Sequence, residues 1–404
     1  MTGELAKRWL ETAPPAAPVV ALAAGVLMLS LERRGRFDAS ALGAAAVLVP
    51  LAAAGALAPA AGSTGLLLVL GLVMALLARD RDNLLQSECT IKLLWVLGAA
   101  LALSWAGVML LSLATGTPVV IEQWAVLNLG LDPDFLWRTA LPISLLLGVV
   151  LLGGAPFHFW AADLLQGAPA WLAPLAVVAL QVSGAEWLAA RLSGIESFHA
   201  GARAVADLLA IAATLAFAVG GLTLLVQRRP ERRVGTLASL NGGLLLARLA
   251  LAREGLGGAG VIAGIVPRWS SHLVLALSGA AILARFLPVA DARPDTPPVL
   301  FRRHAVAGIA GLYALFSLAG VPGTPGAGVW LDTAHAATRS GRPWVMLALT
   351  FAWIASLSVA MRQLREAVGI APRVAPPPEP VPWQARVALG ACAAGLVAQL
   401  KLWK

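Results

Sequence analysis

The chain has 404 residues, of which 59% are hydrophobic and only 13% charged, and its mean hydropathy is +0.80. These values lie far outside the range of soluble globular proteins and predict a polytopic membrane protein. The formal net charge is +9, but the arginines lie in short loops between apolar runs. They therefore indicate membrane topology and lipid-headgroup contacts, and nucleic acid is excluded as a partner.

The cysteine count and the motif search argue against bound redox chemistry in this chain. Cys89 and Cys392 are too few and too far apart for a disulfide framework or a cluster ligand set. No HExxH, CxxC, P-loop or Rossmann glycine pattern is present. We therefore expect no cofactor in this chain.

The apolar runs predict an all-α protein of about twelve transmembrane helices, each near the 17 to 25 residues that a bilayer requires. The one at 260–289 is ambiguous, because Pro267, Arg268 and Trp269 interrupt it. In chain order the predicted segments are 16–31, 40–58, 63–78, 91–113, 138–165, 171–191, 204–226, 234–252, 260–289, 305–338, 343–361 and 383–401.

Alternate loops hold most of the arginine, which predicts that these loops face the cytoplasm. Both termini then lie on the other, periplasmic side of a bacterial inner membrane. The arginines are Arg33, Arg34, Arg36, Arg79, Arg81, Arg228, Arg229, Arg232, Arg233, Arg293, Arg302, Arg303, Arg362, Arg365 and Arg373.

Two of the predicted helices are expected to be broken. Pro156, inside the run Gly154–Trp160, and Pro169 a little further on interrupt the segment 138–165 and its exit. Pro322 and Pro325 interrupt the segment 305–338. Proline removes an N–H donor and clashes with the preceding turn, so each helix must kink or open. A pair of broken helices in corresponding positions predicts an inverted-repeat transporter fold.

The residues Pro156-Phe-His-Phe-Trp160, then Asp163 and Gly167-Ala-Pro169, resemble a run found in the antiporter-like membrane subunits of respiratory complex I, in particular subunit N. Ser317-Leu-Ala-Gly-Val-Pro322 is similar to the late broken helix of the same family, although Gly323 stands where that family has a second proline. The resemblance covers about residues 60–400 and is weakest at the front, where only two helices precede the segment 63–78.

The resemblance implies four regions. Residues 1–62 form N-terminal helices, shortened relative to the family, and 63–226 form a first antiporter-like repeat. A second repeat occupies 227–373. Residues 374–404 hold a proline-rich cytoplasmic linker and a C-terminal helix.

The family carries a glutamate and three lysines along its proton path, and none of the positions that match them is charged here. The resemblance places the lysine positions at Leu151, Gln181 and Trp330, and the glutamate near Leu66–Leu68. A histidine of the family becomes Asn241. Because protons cross hydrocarbon through buried ionisable groups, this pattern predicts a subunit whose own proton channel is inactive.

A few polar groups remain as alternatives. His158 and Glu186 are candidate residual proton relays. A histidine at such a position is more often a structural hydrogen-bonding residue, and a glutamate such as Glu186 more often pairs with a neighbour such as Arg191. Asp163 is expected to cap the short helix after Trp160.

The resemblance implies a non-catalytic membrane-arm subunit of a complex I-type NADH–quinone oxidoreductase, with NADH, FMN, iron–sulfur clusters and quinone held by partner subunits. Its partners would be the neighbouring antiporter-like and small core subunits, together with lipids. Two rivals stay open. The subunit could still move protons through His158 or Glu186, or it could belong to a hydrogenase-linked, formate-oxidising, ion-antiporter or inorganic-carbon-uptake assembly.

Overall fold

The computed structural model describes residues 84–128, 135–168, 172–192, 200–251, 258–286, 304–368, 381 and 383–400, and within these ranges all regular structure is helical. The helices are α1 (Leu84–Thr115), α2 (Val120–Asn128), α3 (Phe135–Leu151), α4 (Phe159–Gly167), α5 (Leu172–Leu192), α6 (Ala200–Val226), α7 (Pro230–Leu251), α8 (Gly258–Ala284), α9 (Ala305–Ala319), α10 (Pro325–Arg339), α11 (Pro343–Val368) and α12 (Trp383–Leu400).

Every predicted segment from 91–113 onward coincides with a helix or with a pair of helices separated by a break. The segments 16–31, 40–58 and 63–78, and most of the linker, lie outside the described residues. The short helix α2 was not predicted, because its nine residues are too few to register as a membrane segment.

Five of the described helices are long and apolar enough to cross a membrane. They are Leu84–Thr115, Leu172–Leu192, Arg203–Val226, Pro230–Leu251 and Pro343–Ala367. The chain is therefore a multi-pass membrane protein whose described regular structure is helical, and the count of twelve spans stays a prediction.

Pro267 does not interrupt α8, which continues through it from Gly258 to Ala284. Trp269, two residues later, is buried and donates its indole N–H to the backbone oxygen of Asn241 at 2.8 Å. Membrane helices tolerate a proline where neighbouring helices supply other contacts, and this bond is one of them.

Helix α7 is the centre of the molecule, because nearly all of its residues are buried. Its 22 residues correspond to roughly 33 Å of helix. Two glycines allow close approach: a Cβ on Gly235 would collide with the backbone of α4, and a Cβ on Gly242 with the backbone of Leu152. Small residues therefore let both neighbours touch the α7 backbone.

The second halves of the two broken helices, α4 and α10, contact opposite ends of α7. Near its start, Arg232 donates to Gln166 at the end of α4 at 2.8 Å. Near its other end, Arg248 donates to the backbone oxygen of Asp332 in α10 at 2.8 Å. The pair α3–α4 and the pair α9–α10 therefore run in opposite directions through the protein.

Candidate functional site

The first helix break lies between Leu151, the last residue of α3, and Phe159, the first residue of α4. Gly153 takes a positive φ of 78°, which turns the chain out of the helix, and the peptide bond before Pro156 is cis. The indole of Trp160 then donates to the backbone oxygen of Val150 at 2.9 Å. Pro156 lies within this break, between α3 and α4, whereas Pro169 lies outside the described residues.

The prediction that Asp163 caps α4 is wrong. The helix begins after His158 without a side-chain cap, and Asp163 lies within α4. Its carboxylate instead pairs with Arg232 of α7 at 2.7 Å and with Lys92 of α1 at 3.7 Å. A carboxylate that far along the helix cannot reach the free N–H groups of the first turn, so it binds cations on neighbouring helices.

His158 joins the first break to two neighbouring helices. Its Nε2 lies 3.2 Å from the hydroxyl of Thr223 in α6. Its backbone oxygen accepts a hydrogen bond from the Ser239 hydroxyl of α7 at 2.9 Å. These contacts are the ones that a structural role requires, and the role of proton relay stays a prediction.

Gln181, a predicted lysine position, is completely buried on α5 and lies beside the first break. Its amide nitrogen donates to the backbone oxygen of Leu152, in the break, at 3.4 Å and to that of Ala238, in α7, at 3.1 Å. The amide therefore links the break to the central helix. Leu151, a second predicted lysine position, is also fully buried, and it packs against Gly184 of α5.

The second break lies between Ala319, where α9 ends, and Pro325, the first residue of α10. Gly320 takes a positive φ of 74° and closes the end of α9. Its backbone oxygen accepts a hydrogen bond from the indole of Trp353 in α11 at 2.9 Å. Pro322 lies within this break, and Pro325 is the first residue of α10.

Asn241, at the position of the family's histidine, joins the second break to α7. Its amide nitrogen donates to the backbone oxygen of Leu318 at 2.8 Å and to that of Leu237, one turn earlier in its own helix, at 2.9 Å. Its side chain is buried. The amide therefore satisfies a carbonyl near the end of α9 that has no helical partner.

Trp330, the third predicted lysine position, fills the space beneath the second break. The indole is fully buried and stacks on Trp353, with the ring centres 5.8 Å apart and the planes 17° from parallel. Phe217 of α6 lies against it at 6.4 Å. A Cβ on Gly320 would collide with the indole, so the tryptophan can occupy this space only because residue 320 is glycine.

The sequence reasoning missed His272, a fully buried histidine on α8. Its Nε2 lies 3.0 Å from the hydroxyl of Ser317, which also accepts the backbone N–H of Gly326 at 3.1 Å. One hydroxyl thus connects α8, the last turn of α9 and the first turn of α10. The available signal was a lone histidine at the start of the apolar run Leu273–Ala284.

Glu186 does not pair with Arg191, contrary to one of the two alternatives. The guanidinium of Arg191 lies over the ring of Trp187, 5.0 Å from its centre. Residues five apart on a helix point in different directions, which explains the missing pair. Glu186 is half-buried and has no hydrogen-bond or ion-pair partner among the described residues.

Within the described ranges, His, Cys, Asp and Glu side chains do not gather in any group of three that could hold a metal ion.

The sequence is similar to curated proteins called NADH-quinone oxidoreductase subunit N. It is 30% identical over 207 residues to that of Halorhodospira halophila, which is 48% of this chain and 40% of the relative. It is 30% identical over 249 residues to that of Paraburkholderia phymatum, which is 57% of this chain and 47% of the relative. It is 32% identical over 222 residues to that of Alkalilimnicola ehrlichii, which is 53% of this chain and 44% of the relative. The chain resembles subunit N. It is a divergent relative, and the matches span less than half the length of these subunit N proteins.

The fold is shared with membrane subunits of several complexes. A chain of respiratory complex I from Thermus thermophilus matches with a TM-score of 0.69 and 22% identity, covering 95% of this chain and 83% of that one. A chain of the Mrp complex from Dietzia sp. DQ12-45-1b gives 0.72 and 15%, covering 96% and 80%. A chain of the membrane-bound sulfane sulfur reductase, an archaeal respiratory membrane complex, gives 0.74 and 17%, also covering 96% and 80%. No family model matches the sequence.

The positions at which subunit N is expected to carry its path lie in a line from the first break, along α7, to the second break. From Leu151 and Leu152 the line passes through Gln181 to Ala238 on α7, and from Asn241 to Leu318 near Trp330. All four side chains, Leu151, Gln181, Asn241 and Trp330, are buried and uncharged. The glutamate position near Leu66–Leu68 lies outside the described residues.

Proposed function

We propose that the chain is a subunit N-like membrane-arm subunit of a complex I-type NADH–quinone oxidoreductase, with a structural and coupling role and an inactive proton channel. The observation that supports this proposal is the uncharged line around α7. Where the resemblance predicts lysines, a leucine packs against glycine, an amide binds two backbone oxygens, and a tryptophan stacks on another tryptophan.

A proton that crosses a membrane needs groups that can bind and release it. Proton relays through membrane segments are built from buried ionisable residues, which are costly to bury and are therefore kept where they serve function. An amide can donate and accept hydrogen bonds but does not bind a proton at neutral pH. In addition, the side chain of Trp330 occupies the volume that a relay group and its water would need.

The arrangement of arginines supports a specific orientation. Three arginines lie at one end of the bundle and form ion pairs there. Arg232 pairs with Asp163, and both Arg233 and Arg362 pair with Glu366. The positive-inside rule then places this end in the cytoplasm of a bacterium and both termini in the periplasm. The opposite directions of the two broken helices support inverted repeats at 63–226 and 227–373, followed by the linker and last helix at 374–404.

By this proposal the redox chemistry belongs to partner subunits, which carry NADH, FMN, iron–sulfur clusters and quinone. The chain would lie between neighbouring antiporter-like and small core membrane subunits, in contact with lipids.

The first experiment is a mild pull-down of the tagged protein from native membranes, followed by identification of the copurifying proteins. We expect NADH-oxidising and quinone-module subunits, and a proton-to-electron ratio below that of a complex whose antiporter-like subunits all carry their charges. Recovery with a hydrogenase, an ion antiporter or a sulfur reductase instead would reject the complex I assignment. That outcome is a real rival, because the Mrp and sulfur-reductase chains match with TM-scores of 0.72 and 0.74.

A second candidate function, active proton transport through relocated groups, is favoured by Glu186, a half-buried carboxylate on α5 without a described partner. We expect Glu186→Gln in the assembled complex to leave the proton-to-electron ratio unchanged, because the uncharged line offers that carboxylate no continuation. A matched control is Glu122→Gln on the exposed surface of α2. A fall in the ratio for the Glu186 variant alone would establish the second candidate and reject the inactive channel.

A further inference from the structure

Exposed arginines surround a buried ion pair at the arginine-rich end of the protein. Arg233 is fully buried, and its guanidinium binds the Glu366 carboxylate of α11 at 2.7 Å and the backbone oxygen of Arg228 at 3.0 Å. This one guanidinium therefore fixes the loop before α7 against the last turns of α11. The exposed arginines on the two sides of it are Arg228, Arg229, Arg362 and Arg365.

Among the described residues, the two acidic groups beside the cluster, Glu366 and Glu231, both have other contacts. Glu366 is held by Arg233 and by Arg362, whose Nε lies 3.1 Å from the carboxylate. Glu231 points to the other side of α7, where it lines a small cavity with Pro174 and Arg285. Arg229 and Arg365 therefore leave an excess of positive charge on this surface.

Two exposed apolar stripes lead from the membrane to this cluster. On α11 the stripe runs through Leu347, Phe351, Ile354 and Met361 and continues into Arg362 and Arg365. On α6 it runs through Ile211, Leu215, Leu222, Leu225 and Val226 and continues into Arg228 and Arg229.

The two stripes belong to one surface, because α6 and α11 pack directly on each other. A Cβ added to Gly221 of α6 would stand 2.8 Å from the ring of Phe351 and 3.3 Å from the Cα of Ala352. The glycine thus brings the helices together and leaves an apolar surface on both sides of the contact.

We propose that this surface of α6 and α11 binds an anionic phospholipid. The phosphate lies between Arg229 and Arg365, and the acyl chains lie along the two apolar stripes. The charge of the cluster and the chemistry of the stripes match the two halves of one lipid molecule. A soluble anion would use the arginines but not the stripes, and a zwitterionic lipid would use the stripes with little gain from the arginines.

The test uses the full chain, purified with its copurifying partners in a neutral detergent, and native mass spectrometry after addition of phosphatidylglycerol, phosphatidylcholine or inorganic phosphate. We expect retention of phosphatidylglycerol over phosphatidylcholine. In the double variant Arg229→Gln/Arg365→Gln the affinity for phosphatidylglycerol should fall roughly twenty-five-fold, since each arginine near an anionic lipid surface contributes about a factor of five.

A matched control is Arg339→Gln, which removes an exposed arginine from the last turn of α10. It should leave lipid retention unchanged, and Arg229→Lys/Arg365→Lys should keep most of it. Equal retention of both lipids, equal retention by the double variant, or full displacement by inorganic phosphate would each overturn the proposal. So would protection of Arg229 and Arg365 by a partner subunit in crosslinking of the native assembly.

Discussion

The two helix breaks use the same elements but are filled differently. In each, a glycine with positive φ follows the end of the first half-helix, and an indole donates to a backbone oxygen beside the break. A buried amide joins each break to α7. The hydrogen bonds that the side-chain amide of Asn241 donates at the second break are 2.8 and 2.9 Å long. Those that the amide of Gln181 donates at the first break are 3.1 and 3.4 Å long.

The side chains that fill the two breaks also differ. It contains the buried His272–Ser317 pair and a stacked tryptophan, whereas the first is closed by Leu151 against Gly184 and by the contacts of His158. At both breaks, side-chain donors bind backbone carbonyls although the matching family positions carry no charge, so irregular backbone inside the protein does not depend on a transport charge.

The largest effect is expected from glycine-to-alanine changes that push one element away from each break. In Gly242→Ala the new methyl would collide with the Leu152 backbone, and in Gly326→Ala with the Ser317 backbone. Backbone cannot yield as a side chain does, so each variant should lose about 3 kcal/mol or more of stability. The measurement is the melting temperature of the purified protein in detergent.

A matched control is Gly390→Ala on α12, where an added Cβ meets nothing within 4 Å. It should be neutral or slightly stabilising, because alanine is the better helix former by up to about 1 kcal/mol. If Gly242→Ala and Gly326→Ala melt with the control, the close contacts at the breaks have no energetic weight.

A smaller effect is expected from removing the buried amides. Asn241→Leu and Gln181→Leu keep the volume but leave backbone oxygens without donors, and bonds of this kind between membrane helices contribute about 0.6 to 1.7 kcal/mol. Asn241→Leu should lower the melting temperature more than Gln181→Leu, because its bonds are shorter. The reverse order would mean that the first break depends more on its amide than the second.

The smallest loss of stability is expected from removing one of two serine hydroxyls. Ser317→Ala removes contacts to both His272 and Gly326, whereas Ser239→Ala removes one bond to the His158 backbone oxygen. We expect a loss of about 1 to 2 kcal/mol for the first and about 1 kcal/mol or less for the second. Hydrogen exchange of the first turn of α10 should increase in Ser317→Ala only; an equal increase in both variants would contradict the link through Ser317.

Most of the helices and both breaks could be predicted from local patterns. Apolar runs of membrane length predict helices whatever they pack against, and the prolines at 156, 322 and 325 predict interruptions because their backbone chemistry is local. The same local reasoning failed at Asp163, where capping was expected and a partner 69 positions later in the chain decided the outcome. It also missed His272, whose partner Ser317 lies 45 residues away.

The sequence by itself determined that the protein lies in a membrane, the order of its helices and the places where two of them break. It also determined the absence of charge at Leu151, Gln181, Asn241 and Trp330. Only the tertiary structure decided that these four side chains form one line around α7 and what each does there. The reason is physical: helix formation and proline breaks depend on neighbours in the chain, whereas the amide bonds, the stacked indoles and the ion pairs depend on residues that only folding brings within contact distance.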